Sequence, residues 1–156
     1  MGRVLLWVAL TPIAALVVGI GGCEARKAYF DRQVRKMCEK DGGVTVFERV
    51  VLDQAEYKRL GGSYGQIPVP EERSASAMDP YVSNTTRKVL KEDSIRITRT
   101  DSLLKRRADG KVLARYVSYA RVGGDFPSWA HPSSSMCDLP NDNVSQQVFT
   151  VQGEVK

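Results

Sequence analysis

Two long β-rich runs meet at Asp109-Gly110, and this junction limits the possible folds more than any other feature of the chain. Ser94–Arg107 and Lys111–Val122 are dense in Ile, Val, Thr, Leu and Tyr, side chains that suit a pleated, half-buried surface. Asp-Gly accepts the left-handed backbone of a tight turn, so the two runs are expected to fold back as an antiparallel hairpin. Its loop has two residues, or three with a glycine bulge. That choice moves the register and exchanges the faces, so no side chain is assigned to a face from sequence.

The neighbouring segments extend this picture. Val44–Leu52 is β-branched and reads as one strand. Asp53 and Glu56 read as the N-cap and capping-box partner of a short helix, Gln54–Leu60, stopped by Gly61-Gly62. Ser63–Tyr81, with Pro68, Pro70 and Pro80, reads as a long surface loop. Thr85–Leu90 reads as a strand, Gly123–Asn143 as a second loop, and Val144–Val151 as a final strand. Upstream, Glu24–Asp41 reads as a helix closed by Gly42-Gly43, with Ala28, Val34, Met37 and Cys38 joined by Phe30 or Tyr29 in an apolar stripe. The expected fold class is α+β: an N-terminal helix packed on a small antiparallel sheet. A chain of 156 residues suits one modest domain, and no internal repeat is visible.

Ahead of the helix, no residue from Val4 to Gly22 is charged. As a helix this run would span roughly 28 Å, close to the apolar thickness of a bilayer, so length does not separate a retained anchor from a signal peptide. Local chemistry favours the signal peptide. Arg3 supplies a positive start, Pro12 interrupts the run, and Ile13–Val18 forms a compact apolar stretch. Gly19, Gly21 and Gly22 then disfavour helix and give a protease slim, extended backbone.

The tetrad Ile20-Gly21-Gly22-Cys23 resembles a bacterial lipobox. The resemblance implies a leader, 1–22, that is removed, and a domain, 23–156, whose Cys23 carries diacylglycerol and an N-acyl chain. Gly21 stands where Ala or Ser is usual in that motif. Glu24, in place of Asp, implies sorting to the outer membrane. Two rival readings stay open. One is an inner-membrane single span: Arg26, Lys27, Arg32, Arg35 and Lys36 follow the run, which would place the basic domain in the cytoplasm. The other is ordinary signal cleavage after Gly21. A myristoylation reading fails, because Leu6 occupies the position where Ser or Thr is needed. Further on, MCEKDGGVTVFERV and VSYARVGGDFPSWAHPSSSMC resemble a group of small uncharacterised proteobacterial proteins. No catalytic residue carries over from that resemblance.

With Cys23 acylated, two cysteines remain, and an oxidising periplasm would join Cys38 to Cys137. In a cytoplasmic domain both would stay thiols. There is no CxxC, HExxH or Cys/His cluster, so no metal is expected, and no cofactor either.

Charge supplies the candidate contacts. Arg87 to Arg121 holds eleven Lys and Arg against four Asp and Glu. The preferred reading is a solvated sheet face whose cations guard edge strands. The sharper one is an anionic-surface contact through Arg96, Arg99, Lys105, Arg106, Arg107, Arg115 and Arg121, with lipid phosphates or a negative protein as partner. Nucleic acid is not expected at an exported address. The basic residues of Glu24–Asp41 likewise read first as a solvated face, and second as a contact for acidic head groups. Trp129 and His131 are candidate recognition residues. His131 beside Ser133, Ser134 and Ser135 admits an envelope hydrolase as a remote alternative, without any nucleophile turn to support it. The functional expectation is a small, non-enzymatic cell-envelope lipoprotein that binds or assembles a protein or surface polymer. The alternative is a bitopic inner-membrane protein.

Overall fold

The structure is a computed structural model, which describes residues 22, 24–125, 132–139 and 143–153. Residues 1–21 of the leader, Cys23, Trp129 and His131 lie outside the described residues. Helix α1 covers 24–41. The chain continues through β1 (Gly43–Val46), β2 (Val50–Leu52), α2 (Gln54–Arg59), β3 (Tyr81–Glu92), β4 (Ile95–Arg106), β5 (Val112–Gly123), β6 (Ser134–Met136), α3 (Val144–Val148) and β7 (Phe149–Val151). The fold is α+β. Strands β3, β4 and β5 form an antiparallel meander. β1 and β6 both pair along the outer edge of β5, β1 at Ala114–Val117 and β6 at Ala120–Val122. β2 and β7 make a separate parallel pair.

Helix α1 packs on the sheet through Val34 and Cys38, against Ile95, Ile97, Val117 and Tyr119, with Phe30, Met37 and Cys137 at the margin. Phe30, Val34, Met37 and Cys38 recur at helical spacing and make the apolar stripe. Ala28 and Tyr29 do not belong to it; both face water. Cys38 is bonded to Cys137, with Cα atoms 5.6 Å apart and a separation of 99 in sequence. This bridge fastens the last turn of α1 to the segment that follows β6. Asp53 caps α2 by accepting from the Glu56 amide at 2.7 Å, as its sequence signature predicts.

Several elements differ from expectation. Val44–Leu52 is two strands in two sheets. Phe47 N and Glu48 N both donate to Leu113 O, at 2.8 and 3.1 Å, which ends the β1 ladder and releases the chain toward β7. Val144–Val151 begins as a helix, because Asn143 accepts from Gln146 N and caps α3. The segment 123–143, read as loop, contains β6. The hairpin loop is longer than two or three residues: Arg106 N donates to Lys111 O at 2.9 Å and encloses 107–110. Gly110 takes the left-handed position there, with φ 69°.

The register shifts between Leu104 and Lys105, so that Leu113 is the extra residue of a bulge on β5. Leu113 and Ala114 are both fully buried. They join Leu52, Ile67, Tyr81, Leu104, Val148 and Phe149 in a second core, where the Tyr81 and Phe149 rings meet edge to face with centroids 4.7 Å apart. Residues opposite one another in an antiparallel pair share a face. Ile97, Arg99 and Asp101, paired with Arg121, Tyr119 and Val117, therefore look toward α1. Leu104 and Ala114 look away. The two cores sit on opposite faces, toward opposite ends of the hairpin.

Replacing Leu113 with Ala removes a side chain with no exposed surface. It should cost about 2–5 kcal/mol, read as a lower urea midpoint at unchanged slope. Converting Cys38 and Cys137 together to Ser should cost at most about 4–5 kcal/mol, measured by the same titration.

Candidate functional site

The helix side of the sheet is covered at one end only. α1 ends at Asp41, and beyond it the same face continues as cross-strand rows, Thr86–Asp101–Val117 and Asn84–Leu103–Arg115. Phe47 and Val112 complete an open groove of about 680 Å³ with Asn84, Thr86, Asp101, Leu103 and Arg115. Leu103, Val112 and Phe47 provide its apolar surface. Phe47 is 60% exposed, which is unusual for a large ring beside a core. Asn84, Thr86, Asp101 and Arg115 supply polar edges, the usual division of labour in a binding cleft.

A ladder of charges joins the groove to the end of α1. Tyr119 Oη donates to Asp41 at 2.8 Å. Arg99 contacts Asp41 at 3.1 Å and Asp101 at 3.5 Å, and its guanidinium lies 5.5 Å from the Tyr119 ring centroid. Arg115 Nε donates to Asp101 at 2.9 Å, and a second guanidinium nitrogen reaches the other oxygen. The Arg115 hydrogen bond, followed by its charge, holds the Asp101 carboxyl below its usual range, and the same contact raises Arg115. Both groups are charged at neutral pH, so neither exchanges protons there.

The basic residues expected to share a surface are dispersed. Arg121 is 3% exposed and sealed behind α1, with Nε donating to Asp31 at 2.6 Å. Its other nitrogens reach Gly123 O and Ser133 Oγ. Arg99 and Arg115 stand in the ladder. Arg96 pairs with Glu92, Lys105 with Glu72, and Arg106 with Glu48 and Asp109. Arg107 has no ion pair among the described residues. Cys38 and Cys137 are brought together, whereas Cys23, Trp129 and His131 lie outside the described residues. Among those residues no group of His, Cys, Asp or Glu is arranged to hold a metal, and no helix is long and apolar enough to cross a membrane. Phe47, Asn84, Thr86, Leu103 and Val112 carry no sequence signal of their own, because only the register brings them together.

A second polar cluster joins Asp125, Ser133 and Lys27. Asp125 accepts from Ser133 N at 2.5 Å and from Lys27 at 3.1 Å. These contacts, the Ser133 amide first, lower its pKa to about 2. No protein-family model, curated protein or solved structure compared with this chain matches it.

Asp31→Ala should cost about 2–4 kcal/mol, because it strands a buried guanidinium; the value stays below that of a fully enclosed pair because Asp31 is partly wet. Thermal unfolding of this variant measures the loss. Asp125 has a depressed folded-state pKa, so its contribution is complete above the ordinary value of 3.8 and is lost as pH falls toward about 2. Asp125→Asn should flatten the fall of the melting temperature across that window and leave its slope above pH 5 unchanged.

Proposed function

We propose that the protein is a small cell-envelope lipoprotein, tethered through Cys23 and acting as a non-enzymatic binding or assembly factor. The Cys38–Cys137 bond carries this reading, because structural disulfides persist in oxidising compartments and are rare in the cytosol. The tetrad ending at Cys23 supplies the matching address. The groove beside Phe47 and Arg115 is the surface offered to a partner. Its mixed lining suits a ligand with an apolar body and a polar or charged edge, as on an envelope protein or surface polymer.

The cations that follow the leader favour a single-span protein with a cytoplasmic domain. The disulfide weighs against it, since that compartment keeps thiols reduced. Fatty-acid labelling in the native host separates the two. Wild type should incorporate label and Cys23→Ala should not, and equal labelling of both overturns the lipoprotein. Without reductant, Cys38 and Cys137 should resist alkylation in the same cells.

A further inference from the structure

Among the described residues, four cations without an ion pair gather on one element, α1. Along α1, at about 100° per residue, Arg32, Arg35, Lys36 and Lys40 fall in one sector, opposite the buried Val34 and Cys38. All four are exposed, and none has an ion-pair partner among the described residues. Glu39 is the acid they share that sector with. Ala25, Ala28 and Tyr29 complete it, and Tyr29 is 57% exposed. The cations that do form ion pairs on α1, Arg26 and Lys27, hold Asp93 and Asp125 on the neighbouring segments. The other cations without an ion pair are Arg49, Lys58 and Arg107, which stand apart, and Arg87, Lys88 and Lys91 on edge strand β3, where Lys91 lies over the Phe30 ring.

We propose that the outward face of α1 lies against an anionic phospholipid surface, that of the membrane holding the tether. The inference rests on the lipid attachment at Cys23. Glu24, the next residue, is already helical, so a tethered chain holds α1 at high effective concentration near the head groups. A paired cation's field is cancelled within a few ångströms. An unpaired one reaches about a Debye length, roughly 8–10 Å, and each such residue near an anionic leaflet favours contact about fivefold. Tyr29 adds an amphipathic ring of the kind that settles at head-group depth. The exposed alanines keep the face slim enough for the long side chains to reach the phosphates.

The test uses the full chain from its own host, in nanodiscs of phosphatidylcholine alone or mixed with phosphatidylglycerol. A water-soluble acetylating reagent reports each lysine by mass spectrometry. Lys36 and Lys40 should react roughly tenfold more slowly in the anionic discs. High salt should abolish the difference, and Lys58 on α2 should be indifferent to lipid. Arg32→Ser with Arg35→Ser should weaken the protection, with Lys58 reactivity as the folding control. Equal reaction of Lys36 and Lys40 in both lipids overturns the inference and leaves the tether standing. So does protection that ignores salt, which would point to a different occupant. The mass of the Cys23 peptide reads the tether separately, and an unacylated peptide removes the premise.

Discussion

The pairing of β4 with β5 is the constraint from which the other arrangements follow. Its register sends Ile97, Arg99 and Asp101 toward α1, and the bulge after Leu104 turns both Leu113 and Ala114 into the far core. A strand without that bulge would bury one of the pair and expose the other, since side chains alternate strictly. The extra residue supplies a second apolar side chain just where β2, α3 and β7 need one to pack against. β1 depends on the same spot, because Leu113 O receives both amides that end its ladder.

Electrostatics then decides which surfaces are free. The hairpin's excess of cations looks like an interface when counted along the chain. In space, Asp31, Asp41, Glu48 and Glu72 reach it from other segments and neutralise much of it. Most of these pairs are at least partly exposed, so their individual contributions to stability are small. Their effect is on the surface field. The residues left uncompensated on α1 stand out because all four share one sector of one helix.

Features with local causes were legible in the sequence. The Asp53 cap, the helix ending at Gly42-Gly43 and the turn at Asp109-Gly110 each depend on a few neighbouring residues, and each forms. The cysteine pair was legible by arithmetic once Cys23 was set aside. The division of Val44–Leu52 was not, because both halves are valine-rich and only their partners, β5 and β7, distinguish them. Val144–Val148 has strand-like composition but follows an Asn whose side chain caps a helix turn, and the cap prevails. The groove was invisible for a different reason. Its residues come from four strands or strand ends and meet only when a register, undecidable from the loop sequence, is known.

Two apolar clusters on opposite faces and at opposite ends have a mechanical consequence. Between them, on the side away from α1, the strands carry the half-buried Thr100, Ser102, Tyr116 and Ser118. The disulfide holds α1 to its cluster covalently, whereas the β2–β7 end is held by packing and hydrogen bonds.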